Sequence, residues 1–196
     1  MMQGLKKLEE YALENHVPII RPLSREILAK EVAAKNPSKI LEIGTAIGFS
    51  GCLMLNSAPN STLTTIEIDA KSFEVAKRNF AEAGLTNRVK QILGDASEVV
   101  KTLEGKFDFI FLDGPKSQYV KQLPYLVNLL SVGGVLLADN VLFMGQVLSD
   151  IYPKHKHRSM ILKLRQFIRD IQSDKRLTSE IIDVEDGLLL AKKIGE

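Results

Sequence analysis

Two aspartates and an amide stand where the chain leaves successive apolar runs: Asp113 closes FDFIFLD, and Asp139 with Asn140 closes GVLLAD. In a parallel sheet such strand ends share one edge, so the three oxygen donors converge there. Carboxylate and amide oxygens suit a hard cation, most naturally Mg²⁺, with Mn²⁺ or Ca²⁺ fitting the same set, and positions remain for water and substrate. Lys116 follows in Asp-Gly-Pro-Lys. A lysine with a pKa of about 10.4 is a poor base at neutral pH, but a nearby cation disfavours its ammonium form and also acidifies a bound hydroxyl. Lys116 is therefore a candidate general base. An acidic residue at a strand end is often only a helix cap, so the expectation rests on Asp113, Asp139, Asn140 and Lys116 together.

A second group of residues suits a nucleoside. KILEI runs into Gly44-Thr45-Ala46-Ile47-Gly48-Phe49-Ser50, where Gly44 allows a sharp turn and the helix start behind it offers free N–H groups. The spacing is not G-x-G-x-x-G, which disfavours a pyrophosphate cofactor. The next run ends in Glu67-Ile68-Asp69, about twenty residues downstream, where a ribose diol is held. Glu67 and Asp69 share a strand face and are rival ribose ligands, with Glu67 preferred. The third run leads into Gly94-Asp95-Ala96, an acidic turn suited to an adenine edge.

The elements that must position these residues alternate along the chain. Strands are predicted over 39–43, 62–68, 89–93, 107–113 and 134–139, with helices over 48–57, 70–83, 95–103 and 117–130, and two earlier helices over 3–15 and 23–35. After residue 140 a helix over 158–173 precedes SEIIDV and LLLAKKI, joined at Glu185-Asp186-Gly187, and Asp-Gly between apolar runs favours a hairpin. The predicted fold is α/β: a doubly wound, mostly parallel seven-stranded sheet ending in an antiparallel hairpin. The 196 residues fit one domain, and 45% hydrophobic with 26% charged residues excludes a disordered chain. No apolar run approaches the ~20 residues of a membrane span, and the N-terminus lacks a signal-peptide core, so a cytoplasmic protein without a membrane partner is expected. The lone Cys52 excludes an internal disulfide and a cysteine-built zinc site.

The order LEIGTAIGFS, TTIEID, GDA, FDFIFLDGPKSQY and GGVLLADNVLFMGQV resembles the cation-dependent O-methyltransferases of the catechol and caffeoyl-CoA type, from about Leu8 to Lys193. The resemblance implies S-adenosylmethionine as cofactor. It places Glu42 and Gly44 beside the methionine part, Ser50 at its carboxylate, Glu67 at the ribose and Asp95 with Ala96 at the adenine, and Asp113 borders both cofactor and metal. It also implies proton transfer to Lys116, attack on the sulfonium methyl, and a homodimer. Tyr119 completes D-x-x-K-x-x-Y, although Tyr119 and Tyr125 read as packing residues. Gly114 and Pro115 depart from the family pattern, and a longer N-terminal extension common in the family is absent.

Within that family, HVPII, LEIGTAIGFS, DNVLF and the basic stretch Lys154 to Arg158 are most similar to bacterial enzymes that methylate 5-hydroxyuridine at the tRNA wobble position. Its 5-hydroxyl and 4-carbonyl form a vicinal oxygen pair that chelates a cation as a catechol does, and an unpaired base is accessible. The basic stretch, continued by Lys163, Arg165 and Arg169, would track phosphates. His155 and His157 lack the spacing of a zinc pair. The alternatives are a small catechol-like or caffeoyl-CoA-like acceptor, and a non-catalytic cofactor-binding module.

Overall fold

The computed structural model describes residues 2–149 and 157–196; Lys154, His155 and Lys156 of the basic stretch lie outside the described residues. In chain order the elements are α1 (Met2–Glu14), α2 (Pro22–Lys35), β1 (Lys39–Ile43), α3 (Phe49–Ser57), β2 (Thr62–Glu67), α4 (Ala70–Glu82), β3 (Val89–Leu93), α5 (Ala96–Val99), β4 (Phe107–Leu112), α6 (Tyr119–Leu129), β5 (Leu130–Asp139), α7 (Arg158–Ser173), β6 (Leu177–Ile182) and β7 (Leu188–Lys193). The sheet order is β3-β2-β1-β4-β5-β7-β6, with β1 to β5 parallel and β7 antiparallel to both β5 and β6. The predicted seven-stranded sheet with its terminal hairpin is thus the observed one.

Local chemistry explains most boundaries. Pro22 opens α2 at a position whose N–H is not needed, and Asn36 closes it in the left-handed conformation at φ 45°. Asp69 caps α4 by accepting from the Ser72 N–H at 2.7 Å. Two boundaries differ from expectation by four residues. The helix predicted over 95–103 stops at Val99, because Lys101 and Thr102 donate to carbonyls only three residues back, at Glu98 and Val99. The strand predicted from 134 starts at Leu130, as the chain leaves α6 directly into the sheet.

Both sheet faces are covered, so the strands are apolar on both sides. Ile40, Phe109 and Leu137 pack with Leu28, Phe49, Met54 and Phe80 from α2 to α4. Leu41, Ile110 and Leu136 pack with Leu126 of α6 and Leu164 and Phe167 of α7. The layers meet the site where the order reverses between β1 and β4. At Gly44 (φ +95°) an added Cβ would lie 2.5 Å from the Asp113 carbonyl oxygen, so only glycine lets the two strand ends run this close. Among the described residues no helix is long and apolar enough to cross a membrane.

Candidate active site

A cavity of about 540 Å³ opens over the C-terminal ends of the parallel strands. Gly44 to Ile47, Phe49 and Ser50 line it after β1, Glu67 and Ile68 after β2, Gly94 to Ala96 after β3, Asp113 to Pro115 after β4, and Asp139 and Asn140 after β5. Gly44, Ser50, Glu67, Asp95, Ala96, Asp113, Asp139 and Asn140 are thereby brought to one wall.

Glu67 is fixed as a rigid acceptor. One oxygen receives the Ala46 N–H at 2.8 Å, and the other receives the N–H groups of Ile68 and Asp69 at 2.9 Å each. Asp69 is exposed and does not line the cavity, since its carboxylate caps α4. Of the two rival ribose ligands, only Glu67 faces the cavity.

Glu42 is placed differently from expectation. Strand alternation turns it under α3, fully buried and away from the cavity lining. There it accepts from Ser50 Oγ at 2.5 Å and Thr65 Oγ1 at 2.7 Å, with Thr45 Oγ1 bonded to Thr65. Burial pushes its pKa up to about 7, against the lowering effect of the two hydroxyls. Glu42 therefore orients Ser50 from behind and does not itself line the cavity.

At the other end, Asp139 is 2% exposed, and Asp113 is partly buried beside it. Burial, with the Asp113 charge next in size, raises the Asp139 pKa to about 6. Buried Asp139 and partly buried Asp113, with the Asn140 amide in the same cavity lining, form an all-oxygen donor set that fits a hard divalent cation. Among the described residues no three His, Cys, Asp or Glu side chains cluster as a metal cage.

Lys116 Nζ donates to Asp113 Oδ1 and to the Tyr119 hydroxyl, both at 2.8 Å. Tyr119, fully buried, donates to the Leu112 carbonyl at 2.9 Å, with the Asp139 carbonyl 3.3 Å away. The protein groups alone do not lower the lysine pKa. Burial favours the neutral amine, but Tyr119 and Asp113 together outweigh it and hold Nζ as ammonium. The expected lowering belongs to a lysine beside a bound cation; the protein groups by themselves act in the opposite direction. Tyr119 packs against Phe167 (centroids 5.1 Å) as a core residue, yet its hydroxyl links lysine to both strand ends. The D-x-x-K-x-x-Y spacing carried that role.

Sequence reasoning missed several wall residues. Pro18 to Arg21 form one side, and Gln118 and Gln122 reach the Gly94–Ala96 end. Gln122 donates to Ser97 Oγ at 3.3 Å, while its buried amide oxygen has no partner among the described residues. Nothing in their spacing marked these residues, because they arrive from the segment before α2 and from around the start of α6. The basic run also divides: Arg165 donates to the carbonyls of Val147 (2.9 Å) and Gln146 (3.1 Å), so it holds the loop after β5.

Glu42 has a testable consequence for stability. Its folded pKa of about 7 lies above its ordinary 4.5, so its favourable contribution is complete below 4.5 and is lost as pH rises through 7. The loss is on the order of 3 kcal/mol. Glu42→Gln should flatten the decline in unfolding free energy between these pH values in urea titrations; a slope unchanged from the parent would show that Glu42 is ionised when folded.

The chain matches the family model described as O-methyltransferase over residues 4–194. It is 37% identical over 130 residues to a catechol O-methyltransferase of Niastella koreensis, covering 64% of this chain but only 58% of that protein. It is 27% identical over 184 residues to a caffeoyl-CoA O-methyltransferase of Stellaria longipes, covering 88% of this chain and 75% of that one. Among solved structures, the O-methyltransferase TomG of Streptomyces achromogenes, in complex with SAM, superposes with a TM-score of 0.88 at 26% identity over 98% of this chain and 90% of that chain. Since the family model runs from α1 to the end of the sheet, and the matched span contains every wall of the cavity, the chain belongs to the O-methyltransferase family.

Proposed function

We propose that the chain transfers a methyl group from S-adenosylmethionine to a hydroxyl with a second oxygen beside it, and that its acceptor is 5-hydroxyuridine at the tRNA wobble position. The observation that carries the chemistry is Lys116 Nζ, 2.8 Å from Asp113, in the wall where Asp139 and Asn140 meet the Gly44, Glu67 and Asp95 loops. S-adenosylmethionine, held by the related TomG structure, supplies an electrophilic methyl on sulfur that passes to the acceptor oxygen as the methyl–sulfur bond breaks. Asp113, Asp139 and Asn140 would hold a divalent cation, whose charge acidifies a neighbouring hydroxyl and opposes the ammonium form of Lys116. Lys116, having released its own proton to solvent, takes the hydroxyl proton onto Nζ as the free amine, and Tyr119 keeps Nζ in place through its hydroxyl. Glu67 orients the ribose, and Ser50, backed by Glu42, meets the methionine carboxylate.

The acceptor assignment is supported by the surroundings of the loop after β5. The start of α7 lies against it, with the His157 ring 5.1 Å from that of Phe143. Arg158, Ser159, Leu162, Lys163 and Gln166 line a shallow hollow on that helix. Cationic side chains beside an acceptor mouth suit a polyphosphate substrate. A free catechol is the second reading, favoured by the catechol O-methyltransferase among the relatives.

Three outcomes follow. Asp139→Ala should abolish cation-dependent turnover while S-adenosylhomocysteine binding survives, as should excess EDTA on the parent; full activity in EDTA would remove the cation from the mechanism. Lys116→Ala should lower turnover roughly 10²–10⁴-fold at neutral pH, measured in single turnovers, and an unchanged rate would exclude it as base. Arg158→Ala with Lys163→Ala should weaken methylation of tRNA carrying 5-hydroxyuridine and flatten its salt dependence, while leaving catechol turnover intact. Efficient catechol methylation with none on tRNA would establish the small-molecule reading.

A further inference from the structure

The hairpin turn between β6 and β7 is bonded to two walls of the cavity at once. Glu185, held at φ +51°, sends its carboxylate to the start of α2, where it accepts from the N–H of Ser24 at 3.0 Å, Ser24 Oγ at 2.8 Å and the Leu23 N–H at 3.3 Å. No side chain at Arg21 supplies that cap, so α2 takes its N-terminal acceptor from 161 residues downstream. Asp186 pairs with Arg21 at 2.9 Å. The same turn grips the loop after β5: Val141 donates to the Gly187 carbonyl at 3.0 Å and Leu142 to the Asp186 carbonyl at 2.8 Å. The approach is so close that a Cβ on Gly187 would fall 2.2 Å from Leu142 Cγ.

Position decides which end of the cavity this clasp serves. Asp139 is in register with Leu188, so the turn lies at the tip of β5, beside Asp139 and Asn140. The Gly94–Ala96 turn follows β3, four strands away in the sheet order, about 19 Å at the usual strand spacing. Pro18 to Arg21, the segment leading into α2, line the cavity directly.

We infer that Glu185 is a positioning residue for the methyl acceptor: by capping α2 it holds Pro18–Arg21 against the loop after β5, and so shapes the acceptor end of the site while leaving the adenosine end untouched. This rests on the methyl-transfer reading above. The carboxylate does not line the cavity and acts chiefly through the segment it anchors, its charge being the smallest of the named influences on Asp139.

The test compares Glu185→Ala, Glu185→Gln and Ser24→Ala with the parent, using catechol and tRNA carrying 5-hydroxyuridine as acceptors. Glu185→Ala should raise acceptor KM roughly five- to thirtyfold, the typical-to-upper range for a lost helix cap. The kcat and the S-adenosylhomocysteine Kd should stay within about twofold of the parent, by the same localisation to the acceptor end. Glu185→Gln, which keeps an acceptor oxygen, should restore most of the KM, and Ser24→Ala should fall between. Amide hydrogen exchange over residues 17–24 should quicken in Glu185→Ala. Unchanged exchange would overturn the clasp. Unchanged KM, or an equal loss of S-adenosylhomocysteine affinity, would overturn its role at the acceptor end. A parent protein that methylates neither acceptor would instead overturn the acceptor assignment beneath it, and the exchange measurement would still report on the clasp.

Discussion

The ends of β1 and β4 are pressed together at Gly44, where a single methyl group would collide with the Asp113 carbonyl. Strand order reverses at this point, so β2 and β3 extend to one side and β5, β7 and β6 to the other. Ligand crevices in open parallel sheets form at such a reversal, where successive loops diverge to opposite faces. Here it sets the loops bearing Ser50, Glu67 and Asp95 on one side and those bearing Asp139 and Asn140 on the other, with Asp113 between them. A bulkier residue at Gly44 would move Asp113, and with it the ion pair to Lys116 and the floor of the cavity.

Around that contact the protein buries charge in two different ways. Glu42 lies under α3 with two hydroxyls as its hydrogen-bond donors, and burial raises its pKa to about 7, so neutral and ionised forms are comparable near neutrality. Lys116 is partly buried, 15% exposed at its side chain, but has Asp113 and Tyr119 within hydrogen-bonding distance and stays charged. The difference is the availability of a countercharge, which decides whether a desolvated group ionises. Asp139 is the third case: burial, with the Asp113 charge beside it, holds its carboxyl above the ordinary carboxylate range.

The acceptor end is assembled from parts distant in the chain. Pro18 to Arg21 precede α2, Val141 and Leu142 follow β5, and the β6–β7 turn bonds to both. The hairpin is therefore more than an edge to the sheet. Its turn stands at the tip of β5 because β7 runs antiparallel there, a consequence of topology that places Glu185 within reach of α2.

Composition and periodicity alone determined the layered α/β architecture, since runs such as FDFIFL are apolar on both faces and are separated by amphipathic helices. The chain order of glycine turns and strand-end acids determined that Gly44, Glu67, Asp95, Asp113 and Asp139 would face one edge, because parallel strands leave no other place for them. Tertiary structure decided what those side chains do. It turned Glu42 beneath α3, committed Asp69 to a helix cap, set the Tyr119 hydroxyl against Lys116 and directed Arg165 to the carbonyls of Gln146 and Val147. These outcomes depend on partners 3 to 23 residues away or more, and the clasp at Glu185 on one 161 residues distant. Local pattern reports which face of an element a residue occupies; what waits on that face is set only when the layers close.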